Sequence, residues 1–241
     1  MHKLTGIMAV VLCIASGVIA EATPVYYFEF DSSAYNPATG NYEYTVSAGG
    51  TVTINVYLYE YSPGVGETYM APSPPNAAEG LQSAGVALDI QSNTAGATVT
   101  FITGNPAFTD FNTYLSSDLD SPKDVGVLSF QGDYPTTAVY GTAIDAETTA
   151  ILIGSFTFTV PPDAAIDSTT TIQATDLYSS MADNLSFETL TDLDALFGPG
   201  GYPTATITVV PEPPSVVALC GLAVMGGLMW VVRRVRGLRR A

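Results

Sequence analysis

Between residues 23 and 210 the chain carries no histidine, no cysteine and no arginine, and its one lysine is Lys123. Those absences remove most catalytic chemistry. A Ser-His-Asp or Cys-His nucleophile needs an imidazole to take the proton, and the usual transition-metal sites need imidazole or thiolate ligands. Phosphoryl transfer needs cations to clamp the developing charge. No glycine-rich phosphate loop stands in for them. Carboxyl groups are plentiful instead: setting Glu21 and Glu212 aside from the chain's 23 acids leaves 21 in this stretch. Paired carboxyl groups serve glycoside hydrolysis, but 21 scattered acids make pairs by chance. No Asp-Thr-Gly or Asp-Ser-Gly marks an aspartic protease. The expectation is a protein that is not an enzyme.

Two constellations remain that can bind. The loop Asp118-Leu-Asp-Ser-Pro-Lys-Asp124 sets Asp118, Asp120 and Asp124 at positions one, three and seven, a spacing that can supply the oxygen ligands calcium prefers. Lys123 stands where a calcium loop of the EF-hand type turns on glycine, and no glutamate closes the twelfth position. The alternative is a solvated turn with no ion. Asp192 and Asp194 read as surface positions on a short helix. The second constellation is Tyr57, Tyr59 and Tyr61, on one side of an alternating run. An exposed row of aromatic faces can stack on sugar rings; tyrosines can equally be there because they suit strands and pair across them.

These residues need strands to position them. Period-two alternation recurs along the chain with Gly, Pro, Asn and Asp between the runs. Tyr26, Phe28 and Phe30 alternate first, then a turn at Asn36–Gly40, then Tyr42, Tyr44 and Val46. The clearest strand is Thr51–Tyr61, where Val52, Ile54, Val56 and Leu58 face one way and Asn55, Tyr57, Tyr59 and Tyr61 the other. Further strands are expected at Leu81–Gln91, Ala97–Thr103, Val125–Gln131, Ala150–Val160, Thr169–Leu177 and Thr204–Val210. Short helices are expected near Ala107–Ser117 and Glu188–Phe197. The loop Ser62–Gly80 reads as too polar and broken for core. About nine strands in some 188 residues, with 47% apolar composition to fill a core, make the expected fold class all-β: a single antiparallel β-sandwich over residues 23–208. The runs starting Gly50-Thr-Val-Thr-Ile-Asn-Val-Tyr-Leu, Ser83-Ala-Gly-Val-Ala-Leu-Asp-Ile and Ile153-Gly-Ser-Phe-Thr-Phe-Thr-Val resemble cohesin-type and carbohydrate-binding sandwich modules. That resemblance implies a jelly-roll topology and a binding role.

The two ends read as addresses. Lys3, the apolar stretch Gly6–Ile19 and Ala20-Glu21-Ala22 have the form of a removable signal peptide over residues 1–22. Residues 209–241 hold Val210-Pro211-Glu212-Pro213, the uncharged run 215–232 and then Arg233, Arg234, Arg236, Arg239 and Arg240. Eighteen residues make about 27 Å of helix, near the thickness of a bilayer core, and the arginines hold the following end in the cytoplasm. A single C-terminal transmembrane helix is expected there. Order, spacing and position resemble the PEP-CTERM sorting signal of bacteria that make exopolysaccharide. The resemblance implies an exosortase-type membrane protease as partner, recognition at Val210–Pro213 and removal of the helix. Pro214 departs from the pattern, in which Ser or Ala often follows the motif. A permanent single-pass anchor is the alternative.

Cys13 and Cys220 both fall in these end segments, so no disulfide is expected in the domain. One lysine against 21 acids repels nucleic acid and anionic lipid. The chain therefore reads as an exported surface or matrix protein, structural or adhesive in an exopolysaccharide setting and without a resident cofactor unless calcium. A glycan- or partner-binding module is the alternative. A carbohydrate-active enzyme and an ice-binding protein follow, the latter lacking a regular threonine repeat.

Overall fold

Alternating β-branched and aromatic residues leave each strand one face to bury, and a computed structural model of the chain shows how those faces meet. It describes residues 23–63, 68–71, 80–120, 122–131, 138–178, 182–187, 189–199 and 201–212. The expected signal peptide 1–22, Pro213, the helix 215–232 and the arginine cluster lie outside the described residues. In chain order the strands are β1 (Val25–Phe30), β2 (Tyr35–Asn36), β3 (Asn41–Ser47), β4 (Thr51–Tyr61), β5 (Leu81–Asn93), β6 (Thr98–Gly104) and β7 (Asp110–Leu115). After them come β8 (Val125–Phe130), β9 (Thr142–Ala143), β10 (Thr148–Thr159), β11 (Thr169–Thr175), β12 (Leu185–Ser186) and β13 (Thr204–Val210).

They form two sheets. One runs β1-β4-β10-β6 with β9 on the β10 edge; the other runs β2-β3-β13-β11-β5-β8-β7 with β12 on β5. The architecture is an all-β two-sheet sandwich. Among the described residues, every ladder between these strands is antiparallel except one: β13 lies parallel to β3, Ala205 beside Tyr42 through Val210 beside Ser47. A purely antiparallel sandwich is thus corrected at this pair. Parallel neighbours are not joined by a hairpin, and here the whole sandwich separates the two strands in sequence.

Three local expectations are also corrected. The segment expected as a helix near Ala107–Ser117 contains strand β7, paired along its length with β8. Asp-Phe-Asn-Thr-Tyr-Leu are mostly poor helix formers, and the ladder satisfies their backbone. Near Glu188–Phe197 one 3₁₀ turn, Asp194–Leu196, replaces a helix. Leu190 there has φ of 53° and is exposed, so it shares no helical face with Leu193, Leu196 and Phe197, the apolar stripe on which a helix was expected. Met70, inside the loop expected to stay out of the core, is fully buried.

The core is the seam between the sheets. From β4, Ile54, Val56 and Leu58 point inward beside Phe28 and Phe30 of β1 and Phe156 and Phe158 of β10, all nearly or fully buried. Val86, Leu88, Val127, Ile172 and Ile207 meet them from the other sheet. Each such side chain contributes about 1.5–3 kcal/mol on leaving water.

The same inward register carries Glu60, only 1% exposed. A buried carboxyl group is tolerated when its oxygens are fully bonded. Tyr26 and Thr68 donate their hydroxyls to it, and the backbone N–H groups of Tyr69 and Met70 donate at 2.6 and 3.1 Å. Glu60 thereby closes one end of the sandwich. Glu60→Ala would strand those donors and should cost about 3 kcal/mol or more. Glu60→Gln keeps an acceptor oxygen and should cost about 1 kcal/mol. Urea unfolding measures both; equal losses would show that the carboxyl group does not hold this end together.

Candidate functional site

The inward register of the first sheet dictates its outer surface. When Ile54, Val56 and Leu58 face in, Asn55, Tyr57, Tyr59 and Tyr61 must face out. β1 adds Tyr27 and Glu29, and β10 adds Ala150, Leu152 and Ser155. Ladder pairing puts Tyr59 between Tyr27 and Ala150, Tyr57 between Glu29 and Leu152, and Asn55 beside Ser155. Tyr27 and Tyr59 stack with centroids 5.3 Å apart and planes at 21°. The smaller Ala150 and Leu152 leave a hollow on the other side of the tyrosines.

A β-bulge shapes that hollow. Pairing of β10 with β4 slips between Leu152 and Gly154, and a bulge re-aims the groups around it. The Ile153 carbonyl, released from the ladder, accepts the Asn105 N–H at 2.9 Å and the Ser129 hydroxyl at 2.8 Å. The Asn105 side chain donates to the Leu152 carbonyl at 2.7 Å. The turn after β6 is thus hung from the bulge and forms one wall. Gly154 is needed because a Cβ there would sit 2.6 Å from Val127 and 2.7 Å from the Thr103 carbonyl. Tyr140, Thr142 and Ile144 form the opposite wall. Together they enclose a cleft of about 340 Å³ floored by Tyr57, Tyr59, Ala150 and Leu152, at the small end of ligand sites, about 300–1,000 Å³.

Of the three tyrosines expected to act together, the structure brings Tyr57 and Tyr59 into the cleft. Tyr61 lies outside its lining and donates to Glu147 at 3.3 Å. Tyr140 joins them from across the sheet; it stands alone in the sequence and carries no periodic signal. Partial burial, followed by the charge of Glu29, pushes the Tyr59 phenol up to about 12. Burial also lifts the Tyr27 phenol and the Glu29 carboxyl above their ordinary values. Asn55 is not free to meet a ligand through its donor. Its side chain donates to Asp31 at 2.8 Å and accepts from the Ser155 hydroxyl at 2.5 Å.

The loop acids do not gather. Asp118 accepts the Leu115 N–H at 3.4 Å, Asp124 accepts the Ile90 N–H at 2.7 Å, and Asp120 lies 4.0 Å from the Lys123 ammonium. Two of the three are occupied as turn and ladder caps. Lys123 itself is 8% exposed and donates to the Leu177 carbonyl at 3.0 Å. Among the described residues, the acids that do converge are Asp176, Asp183 and Asp194, each offering an oxygen within 4.8 Å of the others. Asp194, expected at the surface, is half-buried there, because the sandwich folds Asp183 and Asn184 against it. Burial, with the nearby charges of Asp194 and Asp176, holds the Asp183 carboxyl far above the usual range. Burial raises Asp176 to about 6, against the pull of Lys123. Gaps of seven and eleven residues match no ligand-spacing rule, and the cluster forms only when the chain turns back on itself.

Of the sorting motif, Val210 ends β13, and Pro211 and Glu212 follow it exposed at the surface. No protein-family model matches the chain, and no characterised protein matches it in sequence. Among solved structures it is similar to the sixth cohesin of scaffoldin B from Acetivibrio cellulolyticus, solved with a Cel5 dockerin. The two share 13% identity with a TM-score of 0.44 over 77% of this chain and 99% of that one. A cohesin from Clostridium thermocellum, solved in the Coh-OlpC-Doc435 complex, is similar at 15% identity and TM-score 0.44, covering 81% and 100%. A type III cohesin from the cell-surface anchoring scaffoldin ScaE of Ruminococcus flavefaciens has 12% identity and TM-score 0.44, covering 78% and 88%.

The Tyr59 phenol makes a pH prediction with a definite sign. Its folded value lies above that of an unfolded tyrosine, about 10, so its contribution is complete below pH 10 and disappears as pH rises to about 12. Thermal melts between pH 9 and 11 should show a smaller loss for Tyr59→Phe than for the parent protein. Parallel declines would mean the phenol is not shielded in this face.

Proposed function

We propose that this chain is a non-catalytic binding module whose tyrosine-floored cleft takes a neutral glycan chain. The observation that carries this reading is the cleft itself: aromatic faces at its floor and one wall, with Asn105 and Thr142 as its other polar side chains. Aromatic faces offer sugar rings an amphipathic platform, and a few polar groups fix orientation. Among the described residues no carboxyl group lines it, so from these a bound glycan would meet neither general acid nor nucleophile. Neutrality follows from charge. The one lysine between residues 23 and 210 is engaged at Leu177, while Glu29 on β1 and Asp31 just after it stand beside the tyrosines, which leaves an anionic ligand without a partner.

A protein partner is the second reading. Ile144, at the rim of the cleft, is 57% exposed, and Phe101 on the same sheet is 60% exposed; a complementary apolar surface would cover both. The module would reach its place of work through the terminal segments. In this reading the chain is exported, held briefly in the membrane by residues 215–232, and released or attached at the surface when an exosortase-type protease acts near Val210–Pro213. An exopolysaccharide matrix would then supply the glycan. β13 ends at Val210, so the motif leaves directly from the folded edge with Pro211 and Glu212 open to solvent.

Tyr57→Ala and Tyr140→Ala should each weaken retention on a neutral polysaccharide affinity gel about 5–10-fold, about 1–1.4 kcal/mol, and leave the melting temperature within about 2 °C. Tyr59→Ala is a poorer probe because it also breaks the stack on Tyr27. Unchanged retention in both variants would reject the cleft as a glycan seat. The sorting reading is checked by intact mass of protein recovered outside cells, expected to end near Pro211–Pro214. A product still carrying Trp230 and the arginines would reject it.

A further inference from the structure

Far from the cleft, the acids of three separate segments converge. Asp176 follows β11, Asp183 precedes β12, and Asp194 begins the 3₁₀ turn. Their positions are braced from behind. Asp194 accepts the backbone N–H groups of Asp183 at 2.9 Å and Asn184 at 3.2 Å. The fully buried Asn184 amide donates to Asp194 at 2.6 Å and to Asp183 Oδ1 at 2.8 Å, and its oxygen accepts the Gly85 N–H of β5 at 3.1 Å. The Ser83 hydroxyl holds the Asp183 carbonyl at 2.8 Å.

This bracing leaves two oxygens over. Asp183 Oδ2 and Asp176 Oδ1 are buried with no hydrogen-bond partner, and Asp183 as a whole is 5% exposed. Asp183 Oδ2 rests against Gly85, where a Cβ would come within 2.8 Å of it. Orphaned buried oxygens are rare and point to a missing ligand. Three acids so close repel one another strongly in a poorly solvated site. Lys123 offsets this only in part: its charge favours the Asp176 carboxylate, while its ammonium donates to the Leu177 carbonyl.

We propose that Asp176, Asp183 and Asp194 form a calcium site that ties the segment between β11 and β13 to strand β5. The donors are hard oxygens with no nitrogen or sulfur among them, which selects Ca²⁺ or Mg²⁺ over zinc and copper. Oxygens across a calcium shell stand at most about 4.6–5.2 Å apart, and the three carboxyl oxygens, within 4.8 Å of one another, are close enough to share one ion. Magnesium usually takes one or two carboxylates and keeps its waters, so three converging acids favour calcium. Water fills the remaining positions.

The competing account is a proton shared between Asp183 and Asp194, and the two are separable. After chelation and dialysis, 1 mM CaCl₂ should raise the melting temperature of the full chain by about 4 °C or more, with a smaller rise in MgCl₂. Asp176→Asn should abolish the calcium shift, and Asp120→Asn, in the acidic loop, should retain it. Terbium provides a readout needing no variant: Tyr178 and Tyr202, whose phenols feel the charge of this cluster, should sensitise its emission, and calcium should quench that emission by displacement. Absence of both the thermal shift and terbium emission overturns the site. A shift that survives Asp176→Asn overturns these ligands, and equal shifts with magnesium overturn the choice of calcium.

Discussion

The strict two-residue period of β4 is the constraint on which the rest depends. A strand cannot turn one side chain without turning them all. Burial of Ile54, Val56 and Leu58 therefore sends Tyr57 and Tyr59 to the surface in the same stroke. It also drives Glu60 into the core, where the structure must supply four donors to keep it. Core, aromatic face and buried acid are three results of one register.

The site adds an irregularity to that regularity. Were β10 an unbroken partner of β4, the tyrosine face would be a flat surface. The slip between Leu152 and Gly154 frees a carbonyl, and Asn105 and Ser129 both bond to it. That arrangement fastens the β6–β7 turn beside the tyrosines and converts a face into a cleft. Gly154 pays for it, since no larger residue fits between Val127 and Thr103.

A domain with one lysine must accommodate nearly all of its acids without ion pairs. Among the described residues, acids such as Glu43, Asp110 and Asp163 do so at the surface. Asp31, Glu60 and Asp124 are held by backbone and side-chain donors instead. The group Asp176, Asp183 and Asp194 follows neither course: Asn184 and the local backbone bond both oxygens of Asp194 and one of Asp183, and leave Asp183 Oδ2 and Asp176 Oδ1 without a partner. Mutual repulsion is left standing at a place where the chain crosses between strands.

The sequence alone determined the β-class, the inward and outward faces of β4 and the edges of most long strands, because alternation is local and burial enforces it. It also determined what chemistry is unavailable, since a missing imidazole, thiol or guanidinium needs no structure to be noticed. Tertiary structure decided the rest. Asp110–Leu115 became a strand through its ladder with β8, where a short helix was expected. Met70 became core because Glu60 holds its backbone. Tyr140 joined Tyr57 and Tyr59 only when segments remote in sequence were packed together, and Asp176 joined Asp183 and Asp194 only when the chain between β11 and β13 turned back on itself. Such meetings are set by sheet order and by a single bulge, and neither leaves a period or spacing in the chain for a reader to find.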